Sequence, residues 1–219
     1  MKCYLCDGEM QSAHSWRELF FNDIQEVACV KCKEGFLGMG GPGCRICGLP
    51  GDKLCIDCVR WEETSYRGVI GSGTSLFTYN EAMKTYLHQY KFLQDVLLSE
   101  VFAKEISASL KKEQAVLIPI PMNPEKLKER TFPHVERLLD AAGLEYVQLL
   151  EKNADIQSKK TKEERLNSKP LFTHNGQRIP ARVMLVDDLY TTGTTMRHAA
   201  KILKEGGARD IRIFTLIRG

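Results

Sequence analysis

The stretch from Val183 to Thr195, VMLVDDLYTTGTT, constrains this chain more than any other. Four apolar residues, Val183 to Val186, form the short run expected of a fully buried strand. Two carboxylates follow, Asp187 and Asp188, and then a turn of small hydroxyl residues around one glycine: Thr191, Thr192, Gly193, Thr194 and Thr195. Met196, Ala199, Ala200, Ile202 and Leu203 recur at helical spacing up to Gly206 and Gly207, a pair suited to a helix C-terminus. Strand, acid pair, turn and helix in this order point to an α/β sheet, in which ligands sit beyond the carboxyl ends of the strands.

The chemistry of the stretch is that of a sugar phosphate. A helix N-terminus offers free N–H groups and partial positive charge to a phosphate. Threonine hydroxyls add donors, and two carboxylates beside them suit ribose hydroxyls and a hydrated Mg²⁺. An ordinary βα turn with a capping threonine is the competing reading, but capping alone does not require so many hydroxyls after paired acids. A nucleotide P-loop is excluded because G-x-x-x-x-G-K-[ST] is absent here, and the stretch also lacks a dinucleotide fingerprint.

All eight cysteines lie before residue 59, in four C-x-x-C pairs: Cys3/Cys6, Cys29/Cys32, Cys44/Cys47 and Cys55/Cys58. Eight thiolates supply two closed tetrahedral Zn²⁺ sites, structural because four sulfurs leave no open position. Disulfides fit this spacing poorly, and a thioredoxin-type site needs one pair in a βαβ context rather than four in a row. Sequential pairing, the favoured form because the seven residues between Cys47 and Cys55 are enough for a tight hairpin, would join Cys3, Cys6, Cys29 and Cys32, then Cys44, Cys47, Cys55 and Cys58. An interleaved pairing of first with third and second with fourth is the alternative. The composition change places a zinc-binding domain at 1–62 and an α/β domain at 63–219. Gly38 to Gly43 reads as hinge-like, and His14 reads as a surface residue.

Net charge is only +3, from 31 basic and 28 acidic side chains, which gives no argument for nucleic acid. No apolar run reaches membrane-spanning length and no signal-peptide pattern is present, so a cytoplasmic location is expected. Val69 to Phe77 is expected as an edge strand and Asn80 as a helix N-cap. Met83, Leu87, Tyr90 and Phe92 or Leu93 mark the buried face of the helix that follows. A second helix is expected over Leu97 to Lys112, with Val101, Phe102, Ile106 and Leu110 inward. Ala115 to Pro121 reads as a buried strand, Met122 to Arg130 as a charged loop, and Phe132 to Ala142 as a helix. Tyr146 to Leu150 and Ile211 to Ile217 read as strands. Asn153 to Pro170, with four lysines and an arginine, is a polar surface loop or a lid that would exclude water from a reactive sugar.

The thirteen-residue stretch resembles the phosphoribosyl-pyrophosphate (PRPP) motif of type I phosphoribosyltransferases. The resemblance implies a mostly parallel sheet flanked by helices. It also implies Mg²⁺ accompanying PRPP, ribose hydroxyls on Asp187 and Asp188, and the 5′-phosphate held by Thr191, Thr192, Gly193, Thr194 and Thr195. Further features narrow the match: the C-x-x-C-rich segment ahead of this motif, Tyr90-Lys91-Phe92, and a strand reading IPIP. To these are added Arg130 to His134, and Gln157, Lys160, Arg165 and Asn167 in the lid. Together they resemble the ComF family, ComFC-type late competence proteins of bacteria.

That resemblance implies a role in natural transformation, the uptake of single-stranded DNA into the cytoplasm, beside a ComFA-type DNA translocase that would recruit the protein to the inner face of the membrane. Lys91 and Arg130 would then act with Asp187 and Asp188 in catalysis, on the pyrophosphate side. A non-catalytic adaptor binding PRPP or DNA is the alternative. Aromatic residues of the cysteine-rich segment, Tyr4, Trp16, Phe20, Phe21, Phe36 and Trp61, either stack bases or, the preferred reading, fill the small core. One departure from the family pattern stands out: the usual R-G-F-N-Q is Arg130-Thr131-Phe132-Pro133-His134, with only the arginine and phenylalanine retained.

Overall fold

A computed structural model describes residues 1–10, 24–153 and 171–219. Its cysteine-rich segment carries two short helices that each start directly after a cysteine, α1 (Val30–Lys33) after Cys29 and α2 (Ile56–Glu62) after Cys55. There follow β1 (Ser72–Thr78), α3 (Glu81–Phe92), a 3-10 helix (Val96–Phe102) continuing into α4 (Ala103–Leu110), and β2 (Val116–Pro119). Next come α5 (Pro124–Arg130), α6 (His134–Ala141), β3 (Leu150–Lys152) and β4 (Phe172–His174). The chain ends with β5 (Arg182–Tyr190), α7 (Thr194–Glu205) and β6 (Asp210–Arg218).

Four parallel strands form the main sheet in the order β1-β6-β5-β2, which puts β5 in the interior with Val186 opposite both Pro119 and Phe214. Strand alternation sorts the apolar run of β5 between two cores. Met184 and Val186 join Met83, Tyr86, Tyr90, Phe102 and Leu139 on one face. Val183 and Leu185 join Met196, Ala199, Ala200 and Leu203 of α7 on the other. Val183 and Leu185 are fully buried, which is worth about 1.5–3 kcal/mol each. The expected edge strand is β1, and Asn80 caps α3 by accepting from the Met83 N–H at 2.9 Å.

Several expectations need correction. The hinge-like glycine stretch is in part fastened to β1: Met39 donates to the Leu76 carbonyl and Thr78 to that of Leu37, both at 2.8 Å, and Gly73 donates to Arg45 at 2.9 Å. These bonds satisfy backbone groups that an edge strand would otherwise expose. Phe92 and Leu93 are 63% and 65% exposed, because the apolar pattern of α3 outlasts its packing partners. The single helix expected over Leu97 to Lys112 begins as a 3-10 helix, whose three-residue turn sets Leu98 and Val101 on the same buried side. Met122 to Arg130 is mostly the helix α5 rather than a loop, with Pro124 at its start and the Asn123 side chain capping the Glu125 N–H at 2.8 Å. The strand expected at Tyr146 to Leu150 is displaced to Leu150–Lys152, where it pairs antiparallel with β4, outside the main sheet. Residues 154–170 of the segment expected as a surface loop or lid lie outside the described residues, as do His14, Trp16, Phe20 and Phe21.

Candidate functional site

β5 continues through the acid pair to Tyr190, so Asp187 and Asp188 stand at the carboxyl end of a central strand. Asp188 is buried and its Oδ2 lies 2.6 Å from Lys91 Nζ, brought there by the last turn of α3. Asp187 turns back on the chain, its Oδ1 accepting from the Asp188 N–H at 2.9 Å. The side chain of Asp187 is only partly exposed. Desolvation, with the Asp188 carboxylate adding to it, pushes its carboxyl up to about 7 against the pull of Lys91.

The turn then enters α7 at Gly193, whose φ of 79° is left-handed and whose missing Cβ leaves room for the Tyr190 hydroxyl and the Arg197 guanidinium. Among the described residues, no side chain caps this helix start. Its first N–H groups are therefore left to other acceptors. Thr192 and Thr194 join hydroxyls at 3.0 Å.

Across the cavity, of about 140 Å³, stands a basic wall. Lys91, Arg130, Asp187, Asp188 and Thr195 all line it, so the structure gathers both acids, both proposed bases and one turn threonine around one space. Thr191, Thr192, Gly193 and Thr194 do not line it, and Thr191 and Thr192 are exposed. Arg130 NH1 lies 3.3 Å from His134 Nδ1 and its guanidinium sits 5.3 Å from the centre of the Phe92 ring. His134 is buried on the same wall. Burial, together with Lys91 and Arg130, pulls its imidazole down to about 4 against the opposing charge of Asp188. It is therefore neutral at physiological pH and accepts from Arg130 at Nδ1, while its buried Nε2 has no partner among the described residues. Thr131 takes φ 66° in the left-handed region, where a glycine would be unstrained.

The cysteines assemble in the sequential pairing. Cys3, Cys6, Cys29 and Cys32 form one group and Cys44, Cys47, Cys55 and Cys58 another, each with its sulfurs all within 4.8 Å of one another. All eight are free of disulfides. Sulfur separations of 3.9 Å (Cys6 to Cys29) and 3.6 Å (Cys47 to Cys55) match the edge of about 3.8 Å that a tetrahedron with Zn–S near 2.3 Å would have. The donor set therefore fits Zn²⁺ in both groups. The Cys58 thiol holds Cys47 down to about 4 against burial, and the Leu49 backbone and the Arg218 guanidinium add to the effect. The two groups sit on opposite sides of the sheet: Cys3 packs into the core with α3 and α4, whereas Cys44, Cys47 and Cys58 pack into the core with α7.

The chain is 38% identical over 224 residues to the competence protein ComFC of Streptococcus pneumoniae, covering 100% of both chains. It is 34% identical over 227 residues to ComFC of Bacillus subtilis, covering 99% of this chain and 94% of that protein. The chain belongs to the ComF family. A phosphoribosyl transferase domain matches residues 97–219. A solved hypoxanthine phosphoribosyltransferase from Staphylococcus aureus aligns over 57% of this chain and 62% of its own, at 16% identity and a TM-score of 0.33, too slight a likeness to bear on the site.

Sequence reasoning on this ComF chain missed several site residues. His134 and Glu136, both buried in the basic wall, carried no individual signal. Arg197 did carry one. It falls three residues before Ala200, on the apolar face of α7 and not among its charged positions, and it is 1% exposed. Of the aromatic residues, Phe36 packs edge-on against Phe77, Tyr86 and Phe102 as core. Trp61 instead donates from Nε1 to the Thr192 carbonyl at 2.8 Å.

Proposed function

We propose that this protein acts in natural transformation, in the handling of incoming single-stranded DNA, through a phosphoribosyltransferase-type site that binds Mg²⁺-PRPP. The observation that carries the reading is that the acid pair at the end of β5 and Thr195 of the hydroxyl turn beyond it line one cavity with Lys91 and Arg130. Asp187 and Asp188 accept hydrogen bonds from the ribose 2′- and 3′-hydroxyls. The N–H groups and hydroxyls from Thr191 to Thr195 hold the 5′-phosphate. Lys91 leaves its ion pair with Asp188 as the sugar arrives and turns to the pyrophosphate beside Arg130. Bound Mg²⁺ neutralises pyrophosphate charge. In transfer, the bond from the anomeric carbon to the pyrophosphate oxygen breaks as a ring nitrogen of the acceptor bonds to that carbon, and the carboxylates favour the positive charge that builds there. Zn²⁺ in the two cysteine groups supplies the fold, and a ComFA-type translocase is the partner expected at the inner face of the membrane.

A second reading, binding without turnover, draws on the basic wall. Arg130 to His134 lacks the glycine and the amide side chains of the family pattern, and His134 is neutral, so this segment itself offers a leaving pyrophosphate only the charge of Arg130. Calorimetric titration with PRPP, with and without Mg²⁺, followed by a pyrophosphate-release assay with nucleobases or DNA, separates the two. Metal-dependent binding with release supports the enzyme, and binding without release supports the adaptor. No binding refutes both.

A further inference from the structure

We infer that the second cysteine group, Cys44, Cys47, Cys55 and Cys58, is the support that fixes the phosphate-facing turn, so that metal occupancy there governs ligand affinity in the pocket. The inference rests on the proposed reading of that turn as the phosphate site. Three consecutive carbonyls of the turn are pinned by side chains that belong to this group's segment or are backed by it. Arg218, 3% exposed, donates from NH1 to the Tyr190 carbonyl at 3.3 Å and to the Thr191 carbonyl at 2.9 Å. Its other side faces the cysteine segment, with NH2 4.0 Å from Asp57 of α2. Trp61 donates to the next carbonyl, that of Thr192. Trp61 follows Cys58 by three residues on α2, a helix whose first cap is Cys55, so two of the four sulfurs fix the axis that aims the indole.

The third link is Arg197. Its guanidinium donates from NH2 to Cys58 Sγ at 3.3 Å and from NH1 to the Tyr190 hydroxyl at 2.5 Å, and it lies 5.1 Å from the centre of the Trp61 ring. A buried cation needs a charged or well-bonded partner. A Zn²⁺ held by four thiolates carries net negative charge, and thiolates of such a site accept N–H hydrogen bonds that orient them. The bound ion fixes where Cys58 Sγ stands. A thiol without it can rotate away, leaving the guanidinium short of an acceptor beside Gly193, where there is no space to spare. The first cysteine group serves as an internal control, since its segment is tied to the other side of the sheet: Lys33 pairs with Glu26 at 2.7 Å and Glu105 at 2.8 Å, and Asn80 donates to Gly35 at 2.8 Å. Coupling between two sites is reciprocal, so ligand in the pocket must tighten metal binding at the second group by the same factor.

The test is hydrogen–deuterium exchange of the zinc-loaded full chain over residues 190–197, with zinc content and Mg²⁺-PRPP affinity measured on the same samples. Trp61→Phe keeps the ring beside Arg197 and removes only the N–H. It should retain both zinc ions while speeding exchange in the turn and weakening Mg²⁺-PRPP about tenfold, the scale of one hydrogen bond. Cys55→Ser should loosen the turn further, whereas Cys6→Ser should leave turn exchange unchanged. Unchanged exchange in Trp61→Phe, or an equal response to Cys6→Ser and Cys55→Ser, overturns the inference. If Cys55→Ser does not fold, titration of the zinc-loaded wild-type chain with a chelator decides together with Trp61→Phe: turn exchange that stays unchanged as zinc is lost overturns the inference. Exchange is read without ligand: a turn that responds in a protein indifferent to Mg²⁺-PRPP supports the mechanical link and refutes the phosphate reading.

Discussion

The two walls of the pocket are built on opposite plans. On the β5 side, Tyr190, Arg197 and Arg218 are buried and the turn carbonyls are hydrogen-bonded in series. On the other side, α5 is seven residues long, exposes Lys126 and Lys128, leaves Leu127 39% exposed and closes on a threonine in a left-handed conformation. Arg130 lies beside an exposed phenylalanine. The difference follows from what each wall must do. Donors and acceptors for a sugar phosphate act only if they stand in place before the ligand arrives, and preorganisation comes from buried, mutually fixed groups. Long cations on an exposed helix can follow a pyrophosphate as it leaves.

The strongest way to break this contrast is to remove the support of the fixed wall. Replacing Cys44 and Cys47 together by serine should release one zinc ion and lower the melting temperature by about 10 °C or more, since structural zinc contributes folding free energy directly. Cys6 with Cys29 should cost less, because Cys6 is exposed and Cys29 only partly buried. Equal losses, measured by zinc content and thermal unfolding, would erase the distinction.

A smaller effect sharpens it by pH. Asp187, with its carboxyl near 7, must ionise to serve the sugar and the metal, so Mg²⁺-PRPP affinity should fall about tenfold between pH 8 and pH 6. His134, held to about 4, should show no imidazole titration by NMR over the same range. The same raised carboxyl opposes folding. Its folded pKa lies above the ordinary 3.8, so the folded state holds a proton that the unfolded chain has lost, and stability falls as pH rises from about 4 to about 7. Asp187→Asn should therefore raise the melting temperature at pH 8 by about 2–4 °C, the shift that ~1 kcal/mol gives in a chain of this size. The gain should vanish near pH 4. A melting point indifferent to the substitution at pH 8 contradicts the burial argument. Least of all, Thr131→Gly on the looser wall should stabilise by about 1 kcal/mol through relief of positive φ, read as a shift in denaturant midpoint.

The sequence made the β5 wall legible because its signals are local. An apolar run, two acids, a hydroxyl turn and a helical stripe follow one another within a few turns of chain, and β5 and α7 form there, although β5 runs on through both acids to Tyr190 and α7 begins within the expected turn at Thr194. The sequential grouping of the cysteines was legible for the same reason, given the short spacer between Cys47 and Cys55. The other wall was not. Its helix α5 is too short and too charged to show an apolar period, and His134 and Glu136 became wall residues only when α6 packed against the first core. The links through Arg197, Trp61 and Arg218 join residues far apart in sequence. Only Arg197 left a trace, as a charge on an apolar helical face. Phe92 misled in the opposite direction, since its spacing marks it as core while its position beyond the sheet leaves it exposed beside Arg130.

The most direct measurement is the transformation frequency of cells carrying Asp188→Asn in place of the native chain, with the purified variant checked for fold, for two bound zinc ions and for Mg²⁺-PRPP binding. A folded, zinc-replete variant that has lost Mg²⁺-PRPP and transforms at a small fraction of the wild-type frequency is the predicted result. Wild-type transformation by a variant that no longer binds Mg²⁺-PRPP would contradict the account.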